Sequence, residues 1–150
     1  MNNMDLSRYI LAETGRITQA ITTGAAWEIW MQVELIILLR NQRIQAAREV
    51  PYPMNPNLSL DALAQDNHGK YAIELKVESA TNAGVQLLQS AQQDVNKIRN
   101  YPAPHPGTRW VVAIGYSADA RNALQIFANV VGNNAIYNMA QNIGVMVVTV

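Results

Sequence analysis

Two apolar runs joined by a short polar turn form the segment that most restricts how this chain can fold. Residues 58–64 and 71–78 alternate in the manner of strands, and the sequence QDNHG between them consists of turn-forming residues. If the chain reverses at the Asn-His dipeptide, residues whose numbers sum to 135 face each other, and Asp61 lies opposite Glu74. Opposed Cβ atoms on antiparallel strands are about 4.5–5.5 Å apart. The sequence therefore predicts a hairpin that brings two carboxylates together.

Strand periodicity also gives this hairpin one charged face. Glu74 and Lys76 share a face because side chains alternate along a strand, and Leu75 points to the other face with its apolar neighbours. Opposed carboxylates destabilise a bare sheet, so the pair is better explained if Mg²⁺ or Lys76 neutralises it. Such a group can hold a divalent metal beside an activated water. The competing interpretation is a hairpin with ordinary surface charges, since Glu-x-Lys is common on solvated strands.

Composition restricts the class of protein. The 150 residues, 49% of them hydrophobic, suffice for one well-cored domain over residues 1–150 and are few for two. The chain has no cysteine, which excludes disulfides and thiolate metal sites. Its longest apolar run, residues 35–39, is too short to span a bilayer, and no signal peptide pattern is present. We therefore expect a soluble cytoplasmic protein. A formal net charge of zero counts against high-affinity DNA binding.

The rest of the chain predicts an alternation of helices and strands. The predicted elements are helical turns over residues 5–21, a long helix over 23–48, at most an edge strand over 49–54, the two hairpin strands, a helix over 84–100, a loop with Pro102, Pro104 and Pro106, a strand over 109–116, a helix over 119–131 and a strand over 145–150. A strand, helix and strand in succession imply a right-handed parallel crossover. The sequence therefore predicts an α/β fold with a mixed β-sheet flanked by helices.

These residues and their order resemble the PD-(D/E)xK nuclease superfamily, which has the restriction-endonuclease-like fold. The family's core order α-β-β-β-α-β is similar to residues 24–116, with the N-terminal helical segment and the C-terminal helix and strand outside it. Asp61 matches the family's metal-binding aspartate, Glu74 its second acidic ligand and Lys76 its lysine. The chain departs from the family's Pro-Asp pair, because Leu60 precedes Asp61.

The resemblance also implies a glutamate on the helix before the sheet, a few residues after a glycine. The stretch GAAWE places Glu28 there, and Glu34 is the competitor. Both acids interrupt apolar faces, and a buried carboxylate is costly unless a cation or donors meet it. About 120° of helix surface separates the two, so we do not expect them in the same site. A structural pairing with an arginine is the alternative for either residue.

Family members commonly contribute a glutamine from the helix after the Glu-x-Lys strand. Gln89 and Gln92 flank the apolar stripe of that helix, so the resemblance implies these two residues. Trp27 and Trp30 lie among Leu and Ile and are expected in the core rather than stacked on bases. Neither histidine has a partner at metal-ligand spacing, and no Walker-type phosphate loop is present.

The resemblance implies a metal-dependent nuclease that hydrolyses phosphodiester bonds of nucleic acid, with DNA favoured over RNA. Asp61, Glu74 and the backbone carbonyl of Leu75 would hold Mg²⁺ or Mn²⁺. Lys76 would orient the attacking water and stabilise charge on the phosphate. The principal alternative is a catalytically inactive nuclease-like fold that binds a protein partner or has a regulatory role. A homodimer using apolar surface of the first helix or the final strand is compatible with either function.

Overall fold

A computed structural model of the protein describes residues 1–103 and 105–150, so Pro104 of the proline-rich loop lies outside the described residues. Six strands in this part form one mixed sheet in the order β1-β2-β3-β4-β6-β5, and five helices accompany it. The elements are α1 (Asn3–Leu11), α2 (Thr14–Thr22), α3 (Glu28–Asn41), β1 (Gln45–Tyr52), β2 (Asn55–Asp66), β3 (Gly69–Val77), α4 (Val85–Ile98), β4 (Arg109–Gly115), α5 (Ala118–Asn129), β5 (Ala135–Ala140) and β6 (Ile143–Thr149). Within the described residues, no helix is both long and apolar enough to cross a membrane.

The central elements follow the predicted order. From α3 to β4 the chain runs α-β-β-β-α-β. β3 and β4 are parallel and α4 connects them, whereas the other neighbouring strands pair antiparallel. The predicted mixed sheet with a parallel connection is therefore confirmed. α1 and α2 precede this core, and α5, β5 and β6 follow it.

The hairpin of β2 and β3 has the predicted register. Ala62 pairs with Ile73 and Asp66 pairs with Gly69, so facing residue numbers sum to 135 and no bulge intervenes between these pairs. Asp66 stabilises the two-residue turn, because its Oδ1 accepts hydrogen bonds from the backbone N–H of His68 at 2.8 Å and of Gly69 at 3.1 Å. A two-residue connection fixes the register of an antiparallel pair, which in turn fixes the residues that face each other.

Different helices pack on the two faces of the sheet. α1 and α3 cover one face, where Ile73, Leu75 and Val77 of β3 are buried. α4 and α5 cover the other face, where Ala72 of β3 and Leu87 of α4 belong to one buried apolar cluster. Since residues alternate along a strand, Glu74 and Lys76 share the face opposite Leu75, as the sequence predicts, and the structure shows that α4 covers this face.

The long helix is shorter than predicted, because α3 ends at Asn41 and β1 begins at Gln45. Arg43 adopts a left-handed φ of +61°, which an α-helix cannot continue through. The Arg40 guanidinium donates to the Ala46 carbonyl oxygen at 3.2 and 2.8 Å and ties the helix end to β1. The AAREV segment favours a helix locally, but antiparallel pairing with β2 satisfies its backbone groups. The prediction of a helix to residue 48 is therefore wrong.

β5 is missing from the predicted elements. It lies at the edge of the sheet, where it pairs only with β6, and its side chains are mostly half-buried rather than alternating between buried and exposed. Gln141 and Asn142 connect the two strands with φ of +47° and +66°, the left-handed conformations that tight hairpin turns prefer. Asparagine is common at such positions and glutamine is not, so the sequence carries only a weak turn signal.

Candidate functional site

Asp61 lies where the regular strand pairing is interrupted. β1 and β2 keep one register on both sides of Glu49 and Asp61, but these two residues are not themselves a pair of the ladder. Glu49 adopts a left-handed φ of +53°. Leu60 packs on the α4 side of the sheet, whereas Ala62, two residues later, packs on the α3 side. In a regular strand these two residues would share a face. The irregularity frees the Asp61 side chain to reach across to β3.

Each carboxylate oxygen of Asp61 accepts a hydrogen bond from the protein. The backbone N–H of Leu75 in β3 donates to Oδ2 at 2.7 Å, and Nε2 of Gln32 in α3 donates to Oδ1 at 2.8 Å. Arg48 in turn donates to Oε1 of Gln32 at 3.1 Å, which orients the amide. The regular β2–β3 ladder ends one pair before Asp61 and Glu74. The Asp61 side chain thus bonds the β3 backbone where that ladder stops.

Glu74 is fully buried on the α4 face, and its carboxylate is held at both oxygens. The Tyr52 hydroxyl donates to Oε1 at 2.8 Å, and Nζ of Lys97 in α4 donates to Oε2 at 2.9 Å. Burial raises the pKa of Glu74 to about 7, and the charge of Asp61 acts in the same direction, while the bonds from Lys97 and Tyr52 oppose the shift. Glu74 therefore changes charge near neutral pH. Burial, and then the bond to Glu74, raise the pKa of Tyr52, so its hydroxyl stays protonated and donates.

Lys76 lies between two carboxylates from the flanking helices. Its Nζ is 3.3 Å from Oε1 of Glu28 in α3 and 3.3 Å from Oδ2 of Asp94 in α4. Burial alone would lower the pKa of Lys76, but the charges of Asp94, Glu28 and Asp61 outweigh it and raise the pKa. Burial raises the pKa of Asp94 despite the nearby lysine. Asp94 Oδ2 is buried and has no well-aligned hydrogen bond to any described residue, so it is compensated by charge alone, first by Lys76 and then by Lys97.

The cluster as a whole has more negative than positive groups. Its four carboxylates face two ammonium groups, which leaves an excess of two negative charges when all are ionised (the six residues are Glu28, Asp61, Glu74, Asp94, Lys76 and Lys97). Arg48 adds no net charge, because Glu49 pairs with it at 2.8 Å. Concentrating like charges in a partly buried site is unfavourable without a further cation.

The structure separates the two glutamates of α3. Glu28, at the first position of the helix, contacts Lys76 of the cluster. Glu34 is buried on another side of the helix and forms an ion pair with Nη1 of Arg16 at 2.7 Å. Of the two, Glu28 is therefore the residue that approaches Asp61 and Glu74, and Glu34 has the structural arginine pairing. Trp27 is buried as expected, and its Nε1 donates to the Glu78 carbonyl oxygen at 2.7 Å.

The helix after the Glu-x-Lys strand contributes Asp94 and Lys97 to the cluster rather than glutamines. Gln89 and Gln92 are exposed, and Gln92 lines a separate surface cavity with Arg99 and Arg109. A signal for Asp94 was present in the sequence, because it follows Leu87 by seven residues and therefore lies in the buried apolar stripe of α4. A carboxylate in that stripe needs a buried partner, which Lys76 supplies. Gln32 could also have been found from the sequence, because it lies one helical turn after Glu28 and therefore on the same side of α3.

The donor chemistry of the cluster fits a hard divalent cation. Carboxylate oxygens are preferred ligands of Mg²⁺ and Mn²⁺, and each can accept a hydrogen bond while retaining a lone pair for a metal. With all four carboxylates ionised, the two excess negative charges and the poorly compensated Asp94 Oδ2 would favour a further cation at the cluster. As positioned, however, no group of three His, Asp or Glu side chains within residues 1–103 and 105–150 is spaced to hold a metal ion. The described residues therefore offer the type of donor that suits a metal, without a set of three side-chain ligands already in place.

Comparison with known proteins adds no assignment. No family model, no curated protein and no solved structure matches this chain. Any functional conclusion therefore depends on the residues and the arrangement described above.

Proposed function

We propose that the protein is a metal-dependent nuclease with a restriction-endonuclease-like fold, which hydrolyses phosphodiester bonds of nucleic acid. The element order from α3 to β4 supports this, because it agrees with the family that the sequence resembles. The proposal is carried by one observation, the convergence of Glu28, Asp61, Glu74 and Lys76 from α3, β2 and β3 on one charged cluster. A surface hairpin with incidental charges would give no reason for this convergence.

Each residue of the cluster has a role in such a reaction. Asp61, Glu74 and the Leu75 carbonyl would hold Mg²⁺ or Mn²⁺, which polarises a phosphate and lowers the pKa of a bound water. Lys76 would stabilise negative charge on the phosphate with its ammonium group, whose raised pKa keeps it protonated. Glu28 and Asp94 hold that ammonium from two sides and restrict its position. Gln32 and the Leu75 N–H orient Asp61.

The substrate class follows from charge and from the resemblance. When all four of its carboxylates are ionised, the cluster carries two excess negative charges and repels a phosphate backbone, so a polyanionic substrate would require a bridging cation. The zero net charge of the chain indicates modest affinity rather than tight non-specific binding. DNA is favoured over RNA by the resemblance alone.

A catalytically inactive fold that binds a protein is the second candidate, and one contact favours it. Lys97 forms an ion pair with Glu74 at 2.9 Å, which supplies an internal cation to a carboxylate that a nuclease would use for metal. If this pair were permanent, the cluster would be a structural ion-pair network with no free ligand.

A cleavage assay tests the proposal directly. The full chain is incubated with labelled single- and double-stranded DNA and RNA in Mg²⁺ or Mn²⁺, with EDTA as the metal-free control. We expect cleavage that EDTA abolishes and that Lys76→Met reduces by about 10²–10³ in rate, the usual loss for a positioned electrostatic group. Lys70→Met is the matched control, because Lys70 is an exposed lysine of the same strand. Absence of cleavage on every substrate, with no metal binding by calorimetry, would favour the inactive fold.

A further inference from the structure

Lys97 is the most closely held cation of the cluster, although no sequence motif points to it. Its Nζ donates to Oε2 of Glu74 at 2.9 Å and to the carbonyl oxygen of Ser59 at 3.2 Å. The same ammonium lies 5.9 Å from the centroid of the Tyr52 ring, within cation–π range. A helix, α4, thus places one positive charge against groups from β1, β2 and β3.

Glu74 and Lys97 differ in their access to solvent. The Glu74 side chain is 1% exposed and is fixed at its other oxygen by Tyr52, so it cannot turn away from the site. The Lys97 side chain is 29% exposed, and its four-carbon stem is flexible, so its ammonium can move into water without leaving a buried positive charge. The Glu74 carboxylate is therefore held in place, whereas another cation could replace the Lys97 ammonium beside it.

The two lysines of the cluster have separate partners. Lys76 contacts Glu28 and Asp94, whereas Lys97 contacts Glu74. Removing Lys97 would leave the contacts of Lys76 in place, and it would expose one Glu74 oxygen to any other cation. A divalent metal and a lysine ammonium beside the same carboxylate oxygen repel each other, so each weakens the binding of the other.

We propose that Lys97 is an internal cation that competes with the divalent metal for Glu74, so that metal binding displaces Lys97 from the site. The inference rests on the proposed function, since it assumes that Glu74 is a metal ligand. It adds that the metal affinity of this protein is set by a lysine outside the Glu-x-Lys motif. In the metal-free protein Lys97 neutralises Glu74, and in the metal-bound protein Lys97 faces solvent.

Calorimetric titration of the full chain with MgCl₂ and MnCl₂ tests the competition. Lys97→Met retains the apolar stem and removes the charge, and we expect it to bind metal about 10-fold to 100-fold more tightly than the wild type, the range that corresponds to one charge-assisted hydrogen bond. Lys70→Met makes the same change at an exposed lysine and should leave the affinity unchanged. Lys97→Arg keeps the charge and should not gain affinity.

The outcomes separate this inference from the proposed function. If wild type and Lys97→Met bind metal equally, or the variant binds more weakly, the competition is wrong while the nuclease proposal stands. If neither protein binds metal, both proposals fail. Circular dichroism verifies that each variant is folded before titration.

A measurement on the wild type covers the case in which Lys97→Met does not fold. Protein labelled with ¹³C at the lysine Cε atoms is titrated with Mg²⁺, and the Lys97 resonance is assigned from its absence in Lys97→Arg. We expect this resonance to shift with the calorimetric midpoint while the Lys70 resonance stays in place. Metal binding that leaves the Lys97 resonance unchanged would overturn the proposal.

Discussion

Glu74 in β3 and Glu78 just after the end of that strand are four residues apart and are 0% and 2% exposed, yet their pKa values shift in opposite directions. Burial raises the pKa of Glu74 to about 7, and the neighbouring Asp61 adds to the rise. Burial also acts to raise the pKa of Glu78, but hydrogen bonds from Ser117, Tyr116 and Gly84 outweigh it and lower the pKa.

The partners of Glu78 are backbone groups of two helix starts. Oε2 accepts from the N–H of Tyr116 at 2.7 Å and of Ser117 at 2.8 Å, where α5 begins. Oε1 accepts from the N–H of Gly84 at 3.2 Å, where α4 begins. Helix N-termini offer unpaired donors and a partial positive charge, so an ionised carboxylate is stabilised there. Glu78 holds α4 and α5 against the end of β3.

The difference shows how the surroundings decide what a buried carboxylate can do. Glu78 has fixed amide donors that cannot leave, so its charge contributes to stability. Glu74 lies among other carboxylates and a partly exposed lysine, so its charge is costly and would be stabilised by a further cation. One glutamate therefore holds two helix starts, whereas the other is the one that we propose as a metal ligand.

The largest expected effect is the loss of stability in Glu78→Ala. The change leaves three partly buried N–H groups without their acceptor and releases both helix starts, at a cost of about 3–5 kcal/mol in the free energy of unfolding. Urea denaturation followed by circular dichroism measures it. Glu13→Ala is the control, because Glu13 makes no side-chain capping bond. A loss below about 1 kcal/mol would show that the amides find other partners and would remove the contrast with Glu74.

Glu74→Gln should show the opposite behaviour. We expect the cleavage rate to fall by about 10²–10³, because a neutral amide is a poor metal ligand and Glu74 is proposed to act through the metal. Below about pH 4.5 stability should change by less than about 1 kcal/mol, since glutamine keeps the shape of the protonated side chain and an acceptor for Tyr52. Above about pH 7 the variant should be the more stable protein, because it lacks the costly buried charge. Kinetics and urea denaturation on the same preparation test both parts. A variant that unfolds would assign Glu74 the structural role of Glu78.

Glu74 and Glu78 should change the stability of the protein with pH in opposite directions. The pKa of Glu74 rises from 4.5 unfolded to about 7 folded, so the folded state holds the extra proton and stability falls as pH rises from about 4.5 to about 7, by roughly 3 kcal/mol at most. Glu78 has a lowered pKa, so its contribution is present above about pH 4.5 and is lost as pH decreases below it.

Denaturation at a series of pH values separates these contributions. Subtracting the free energy of unfolding of Glu74→Gln from that of the wild type at each pH should give a difference that falls between about pH 4.5 and 7. Subtracting the curve of Glu78→Gln should leave a loss confined to lower pH. A difference curve for Glu74 that is flat over that interval would contradict the raised pKa.

The smallest effects are expected at Gln89 and Gln92. Both side chains are exposed on α4, and within the described part of the chain no hydrogen bond joins either of them to the cluster that contains Glu74. Their alanine variants should change the free energy of unfolding by less than about 0.5 kcal/mol and should leave metal affinity and cleavage unchanged. A tenfold loss of the cleavage rate in either variant would show that α4 contacts the substrate outside the cluster.

Much of the hairpin could be predicted because its strands and its turn are encoded by residues that are neighbours in the sequence. Alternating apolar residues predict two strands, and the two-residue turn fixes the register, so the neighbourhood of Asp61 and Glu74 follows from the sequence. The helix α4 follows from apolar spacing in the same way. The extent of α3 and the presence of β5 did not follow, since left-handed residues such as Arg43 and Gln141 give weak signals at those ends.

The sequence by itself determined the backbone state of the central elements and the face on which Glu74 and Lys76 lie, because periodicity is a property of neighbouring residues. Only the tertiary structure decided which groups surround each charge. Lys97 and Glu78 acquire their partners from elements that are distant in the chain, and the irregularity at Asp61 depends on Glu49 in another strand. Burial and charge separation set the pKa values of Glu74 and Glu78, and both exist only after the helices pack on the sheet.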